Sequence, residues 1–289
     1  LPDRTVFITG CSTGIGRSVA LLFAQAGYRV VATARKLEAI QDLEEIASRE
    51  KLTLYITTCD VTSESSLLAA VEFAHSAFGD IHVLVNNAGY GSMGLLEAVP
   101  LSEARHQFEV NVFGAMRLIQ LIAPDMRKAG WGRIVNVSSI AGRILIPLGG
   151  WYSASKFALE ALSDAMRMEL EPFGVQTVSI LPGPVETGFM SNLNIVPPKA
   201  DFPRFYHELY ERLKKRRSER HFEISADKVA YVILRACERR RPKPRYVLTV
   251  PARVSSVIRP FFTDRAWDRM IKFFYGVSRI SVEQERMDS

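Results

Sequence analysis

The sequence predicts an α/β chain: a single-domain, doubly wound parallel sheet of about seven strands with helices on both faces. Three observations predict it. Short apolar runs rich in β-branched residues, such as V-F-I-T at 6–9 and I-V-N-V at 134–137, alternate with longer helix-like stretches. These runs are apolar on both faces, as strands covered from each side must be. A glycine-rich turn, T-G-C-S-T-G-I-G at 9–16, joins the first run to the first helical stretch. Strict β-α alternation with right-handed crossovers then puts helices on both sides of one sheet.

In chain order, strands are expected at 4–9, 28–33, 52–58, 81–86, 132–138, 175–181 and 245–250, and helices near 14–26, 36–49, 64–78, 101–128, 151–171 and 226–239. The alternation breaks once, at about 188–224, where Pro and aromatic residues crowd between the sixth and seventh strands. An insertion of that length, after the carboxyl end of a strand, has the position of a lid over a ligand. No linker, internal repeat or low-complexity tract divides the chain. The tail, 251–289, mixes aromatic and basic residues. A helix packed on the domain is its plainest reading; a lid or a peripheral membrane contact through 251–276 are the alternatives.

Composition narrows the class. The chain has 289 residues, 47% of them hydrophobic, ordinary for a globular protein. No run approaches the length of a membrane span. The first strand starts at about Thr5, which leaves no room for a signal peptide ahead of it, although the leading Leu keeps a removed leader open. Cys11, Cys59 and Cys237 are few, odd in number and scattered, so neither a metal site nor a disulfide framework is expected, and a reducing, cytoplasmic setting is. The net charge of +6 is local: Lys214 to Arg217, and Arg239 to Arg241 with Lys243 and Arg245, hold much of it. Solvated helix ends explain such runs, and an anionic membrane or acidic partner is the sharper reading. No nucleic-acid motif accompanies them.

Most of the chemistry-bearing motifs sit at strand ends. In the turn at 9–16, Gly10 permits a tight bend, and Gly14 and Gly16 let backbone and helix approach a pyrophosphate at the helix amino terminus; Ser12, Thr13 and Ile15 lie in the same turn. A dinucleotide site is expected there. The second strand ends in A-R-K, with Arg35 and Lys36 where an acid would bind a ribose hydroxyl; two cations suit a 2′-phosphate, and the expected cofactor is therefore NADP(H). N-N-A-G, with Asn87, Ala88 and Gly89, ends the fourth strand; its small residues let a cofactor lie close and its amides can pin nearby backbone. Asn111 stands mid-helix, where Asn is unfavourable unless its side chain has a task, such as holding a water or a kink. Ser138 and Ser139 end the fifth strand, and one hydroxyl can reach a reacting oxygen. An acylating serine is the competing idea, but G-x-S-x-G is absent and no His has the setting of a base. Pro182 and Gly183 stop the sixth strand, followed by Val185 and Thr187, placed to hold a nicotinamide amide.

Tyr152 and Lys156, four apart in W-Y-S-A-S-K-F-A-L, project from one helix face. A free tyrosine titrates near 10 and is a poor acid or base at neutral pH. A neighbouring ammonium favours the phenolate and makes proton exchange with a substrate oxygen feasible.

Taken together, T-G-C-S-T-G-I-G, Asp60-Val61, N-N-A-G, Asn111, Ser139, Y-x-x-x-K and P-G-P-V-E-T resemble the short-chain dehydrogenase/reductases from about Thr5 to Arg245. Finer marks, A-T-A-R-K-L, Y-S-A-S-K-F-A-L-E-A-L and P-G-P-V-E-T-G-F, are similar to the branch of 17β-hydroxysteroid dehydrogenase type 1 and the photoreceptor-type retinol dehydrogenases. The resemblance implies a Rossmann-like fold. It makes Tyr152 the general acid or base, and Lys156 the group that lowers its pKa and holds the nicotinamide ribose. It makes Ser139, rather than Ser138, the substrate-polarising serine, Asn111 the anchor of a relay water, and Asp60 and Val61 the adenine contacts. It also implies a homodimer or homotetramer built on the helices at 101–128 and 151–171.

The expected protein is an NADPH-dependent oxidoreductase interconverting a ketone or aldehyde and an alcohol on a bulky apolar, steroid-like or retinoid-like substrate. Residues 1–250 form its catalytic domain, 188–224 its substrate loop, and 251–289 an extension on the same domain. Phe189, Met190, Phe202, Phe205 and Tyr206 are expected to supply a greasy pocket beside Ser139. A 3-ketoacyl thioester reductase, and a non-catalytic NADP-sensing protein, are the alternatives.

Overall fold

Val6 and Ile8 point to one side of the sheet and Phe7 to the other, and this period of two builds both hydrophobic layers. The computed structural model describes residues 3–145, 147–187, 193–218 and 223–277. Seven parallel strands form the sheet: β1 (Thr5–Ile8), β2 (Arg29–Ala34), β3 (Leu54–Thr58), β4 (Ile81–Asn86), β5 (Gly132–Val137), β6 (Val175–Leu181) and β7 (Arg245–Val247). Their spatial order is β7-β6-β5-β4-β1-β2-β3, so the winding reverses between β1 and β4. In register, Phe7 lies beside Val31 of β2 and Leu84 of β4. The expected doubly wound sheet is what the chain forms.

Helices α1 (Gly14–Gln25), α2 (Asp42–Glu50) and, late in the chain, α8 (Ala226–Glu238) cover one face. Phe23 and Tyr28 meet there with ring centres 4.9 Å apart. Helices α3 (Glu64–Phe78), α5 (Gly114–Lys128) and α6 (Gly150–Leu170) cover the other, around Leu67, Leu118, Ile122 and Met166. Each such side chain, fully buried, contributes roughly 1.5–3 kcal/mol. Ser63 caps α3 and Ser225 caps α8 by accepting from the N–H three residues on.

Five elements depart from expectation. The long helix at 101–128 is two helices, α4 (Leu101–Phe108) and α5, joined through a π-helical turn at Glu109–Phe113. The helix at 36–49 starts with a 3₁₀ turn at Leu37–Ala39, and α2 follows. The seventh strand ends at Val247 instead of 250, because Pro251 lacks an N–H for a ladder and instead opens helix α9 (Val250–Ile258). The tail carries a second helix, α10 (Asp264–Phe274), and the insertion contains a further one, α7 (Arg204–Ser218). Two short parallel bridges tie the insertion down: Asn194–Ile195 pairs with Ser92–Met93, and Ile224–Ser225 with Val185–Glu186.

Candidate active site

The glycine turn, N-N-A-G, the Ser138–Ser139 pair and P-G-P-V-E-T follow β1, β4, β5 and β6 at one edge of the sheet, around the point where the winding reverses, and helix α6 and the π turn bring Tyr152, Lys156 and Asn111 beside them. That crevice is where open α/β sheets bind ligands. After β1, Gly10 and Gly14 adopt positive φ of 72° and 55°, a region closed to most side chains. At Gly16 a Cβ would lie 2.3 Å from the Gly10 carbonyl oxygen and 2.4 Å from Asn87 Nδ2, so only glycine fits. Thr187 lies over Gly14, its Cγ2 2.6 Å from where a Cβ would be. Thr13 precedes α1 without spending its side chain on a cap, and no acid occupies the first turn. The positive end of α1, uncapped by Thr13, therefore faces the crevice.

The N-N-A-G turn after β4 locks to this loop. Asn87 Nδ2 donates to the Thr9 and Gly10 carbonyls at 2.9 and 3.0 Å. Thr9 Oγ1 accepts from the N–H groups of Asn87 and Ala88. At the end of β2, Arg35 and Lys36 are exposed and therefore open to an incoming anion. Asp60 follows β3 and accepts from the Thr62 N–H and hydroxyl at 2.9 and 2.8 Å. Burial opposes its charge, but those bonds and the Arg35 charge outweigh burial and hold the carboxyl below its usual range. Val61 is buried and lies against Gly114, where a Cβ would meet the Val61 carbonyl oxygen at 2.4 Å. Pro182 accepts from the Ile140 N–H at 3.0 Å. Gly183 abuts Thr249, and Val185 is buried in the bridge to Ile224.

Tyr152, Lys156 and Glu160 occupy one face of α6 and all three are buried. The Lys156 ammonium lies 5.9 Å from the Tyr152 ring centre and donates to the Val137 carbonyl at 3.0 Å. Burial pushes it down to about 8, while the Glu160 charge works the other way. Arg245 of β7 reaches back to Glu160 at 2.7 Å and also pairs with Asp164, so this part of the basic run is spent inside the protein. Ser139 Oγ accepts from the Ala141 N–H at 3.1 Å, which leaves its own proton free to donate. Ser138 is fully buried, its Oγ 3.0 Å from where a Gly142 Cβ would be. Asn111 sits in the π turn. Its Oδ1 accepts from the Tyr90 N–H at 2.9 Å, and its Nδ2 donates to the Tyr90 carbonyl at 2.8 Å and to Ser155 Oγ at 3.0 Å. Ser155 Oγ in turn donates to the Tyr152 carbonyl at 2.8 Å. Asn111 is thus clamped to the Tyr152 turn of α6.

The apolar neighbours of Tyr152 are Met93, Ala141, Leu193 and Ile195. Phe202, Phe205 and Tyr206 gather elsewhere, with Leu95, Leu209, Tyr275 and Val277, and pin α7 to the body of the domain. Phe189 and Met190 lie outside the described residues. The sequence reading passed over Met93, Leu193, Ser155 and Tyr90; the signal for Met93 was its place just after N-N-A-G at a strand end. Among the described residues, no group of three or more His, Cys, Asp or Glu side chains is placed to hold a metal ion.

A glycine turn that admits no Cβ, at the amino terminus of α1 and beside a buried Tyr–Lys pair, fits a dinucleotide and a proton-transferring phenol. Known proteins are similar to this chain in sequence and in fold. YusZ of Bacillus subtilis, an uncharacterized oxidoreductase, is 35% identical over 278 residues, covering 93% of this chain and 97% of that protein. A 3-ketodihydrosphingosine reductase of Bacteroides thetaiotaomicron is 38% identical, covering 68% of this chain and 69% of its own length. Human retinol dehydrogenase 8 is 36% identical, covering 72% and 69%. Among solved structures, a short chain dehydrogenase/reductase from Burkholderia phymatum in complex with NAD superposes with a TM-score of 0.79 at 25% identity, covering 90% of this chain and 94% of that one. A metagenomic short-chain oxidoreductase in complex with NADP superposes with a TM-score of 0.69 at 26% identity, covering 86% and 97%. The short chain dehydrogenase family profile matches residues 4–196, the span that carries the glycine turn, the clamped Asn111 and the Tyr–Lys pair, and on that match the chain belongs to the short-chain dehydrogenases and is an oxidoreductase of that family.

Proposed function

We propose that this oxidoreductase interconverts a ketone or aldehyde and an alcohol on a bulky apolar substrate, with NADP(H) as cofactor and Tyr152 as general acid and base. One observation carries the reading: the Tyr152 phenol lies among Met93, Ala141, Leu193 and Ile195, on the helix face it shares with the buried Lys156 ammonium. An apolar wall beside a proton donor suits a hydrocarbon-rich carbonyl compound. The names of two relatives, a 3-ketodihydrosphingosine reductase and a retinol dehydrogenase, point to substrates of that character.

Gly10, Gly14, Gly16 and the α1 amino terminus would hold the pyrophosphate, with Ser12, Thr13 and Ile15 beside it. Arg35 and Lys36 would hold the 2′-phosphate, Asp60 and Val61 would contact the adenine, and the small residues of the turn Asn87, Ala88 and Gly89 would let the cofactor lie close. Pro182, Gly183, Val185 and Thr187 would flank the nicotinamide. The bound cofactor supplies or takes up a hydride. During reduction, Ser139 Oγ–H donates to the substrate carbonyl oxygen and Tyr152 gives up its phenolic proton to that oxygen as it becomes an alcohol. Lys156, held by the Val137 carbonyl, stabilises the phenolate left behind. Asn111 keeps this turn of α6 in place through Ser155.

The test is an NADPH-consumption screen against steroid ketones, retinal, long-chain ketones and acyl thioesters. Turnover is expected with an apolar ketone or aldehyde. Tyr152→Phe should then lose roughly 10²–10⁴-fold in kcat and keep NADPH affinity. A fully active phenylalanine variant removes Tyr152 from the chemistry, and turnover confined to acyl thioesters replaces the substrate class.

A further inference from the structure

The carboxyl-terminal helices carry large apolar side chains that no described part of the chain covers. Val250, Val254 and Val257 are 71%, 52% and 64% exposed, and their i, i+4, i+7 spacing lines one face of α9. Phe261, 85% exposed, continues the row four residues later, at the turn into α10. On α10, Arg265, Arg269 and Lys272 repeat at the same spacing as an exposed basic row, with the exposed Phe273 beside it. The opposite faces are firmly seated: Ala252 and Trp267 are buried, and Arg259 and Phe262 pack on the Trp267 ring at 5.4 and 6.0 Å. Two successive helices, each with a buried side chain on one face and an exposed apolar or basic row on the other, mark an interaction surface.

We propose that the α9–α10 surface rests on an anionic phospholipid bilayer, with Val257, Phe261 and Phe273 in the interface and Arg265, Arg269 and Lys272 against the head groups. Charge selects this occupant. Arg259 pairs with Asp264, which leaves exposed Arg253, Arg265, Arg269 and Lys272 against exposed Asp268 in the segment 250–277, so a second copy would bring like charge to like charge. Position gives the contact a use. Thr249, which opens α9, packs against Gly183 in the site, and Tyr275 and Val277 pack with Phe205 over the insertion. An apolar substrate dissolved in the bilayer would reach the site without crossing bulk water. That use rests on the apolar-substrate reading, whereas lipid binding is read without turnover and stands or fails separately.

The experiment is co-sedimentation of the full chain with vesicles of phosphatidylcholine alone and of phosphatidylcholine mixed with phosphatidylglycerol. The wild type is expected to bind the mixed vesicles far more tightly and to leave them at high salt. At about fivefold per basic residue near the surface, the double variant Arg265→Ala/Arg269→Ala should lose roughly thirtyfold in partitioning. Val257→Asp/Phe261→Asp should lose binding altogether, with the wild-type melting temperature retained. Equal binding to both vesicle types overturns the proposal. So does a Val257→Asp/Phe261→Asp variant that changes oligomeric state by light scattering and binds vesicles as before, because the row would then belong to a second copy.

Discussion

Lys156 sets burial against charge inside the site. Its ammonium is enclosed, holds one carbonyl, and titrates near 8 instead of 10.5. Linkage gives the sign of the effect on folding. A lysine with a depressed folded pKa destabilises the fold fully below about 8, where only burial resists its charge. The cost fades as pH climbs from about 8 towards 10.5. It amounts to roughly 3 kcal/mol at about 1.4 kcal/mol per pH unit. Lys156→Met removes that cost and strands the Val137 carbonyl, for about 1 kcal/mol. The variant should therefore be more stable than the wild type at neutral pH by roughly 2 kcal/mol, with the gap closing in alkaline urea titrations, while turnover falls by two orders of magnitude or more. A variant less stable than the wild type at every pH would mean that Lys156 supports the fold. Arg35 tests the cofactor in the same way. Losing its charged hydrogen bonds to a phosphate, each about 1.5–3 kcal/mol, should weaken NADPH in the Arg35→Ala variant by roughly tenfold to a hundredfold and leave NADH unchanged. Equal losses in fluorescence titrations of the two would take the 2′-phosphate away from Arg35.

At the scale of elements, the π turn at Glu109–Phe113 does the positioning. One widened turn between α4 and α5 carries Asn111, whose amide bonds to both polar groups of the Tyr90 backbone and to Ser155 of α6. Such bulges concentrate at functional sites because they spend helical hydrogen bonds on something else. Asn111→Ala leaves three partners unmatched, two of them backbone groups that cannot move away. A loss of roughly 1–3 kcal/mol in chemical denaturation is expected, with kcat reduced and cofactor affinity kept. Intact stability with lost turnover would mean that the amide acts on the reaction alone. The sequence signalled that Asn111 had a task, because an uncapped Asn mid-helix is costly. It did not signal the π turn, since hydrophobic spacing over a single turn does not separate 3.6 residues from a wider pitch. The inner strands were legible almost to the residue, because both their faces are buried and their runs stop at turn residues, whereas the edge strands β3 and β7, only partly buried, ran two and three residues shorter than expected. The aromatic residues of the insertion were legible as apolar but not as to partner. Phe202, Phe205 and Tyr206 face Leu95, Leu209 and the tail, contacts set by tertiary packing far along the chain.

At the scale of the molecule, the sheet gathers residues from across the chain onto one edge, and the helices that build that edge also show apolar side chains outward. On α6, Phe157, Ala161 and Met168 lie at helical spacing on one exposed face, and Phe113 is exposed where the π turn enters α5. The burial of Tyr152 and Lys156 depends on α6 keeping its place against the π turn and β5, so a partner that covers the outer face of α6 would stiffen the site from behind. We propose that the chain forms a homodimer or homotetramer through these helices. The two apolar surfaces are then separable by mutation: Phe157→Asp with Met168→Asp should convert the oligomer to monomer in sedimentation velocity and lower the melting temperature, with vesicle binding through α9 and α10 unaffected. A wild type that sediments as a monomer at working concentrations would leave those side chains without the partner argued here, and the stability of the site would then have to come from the single chain.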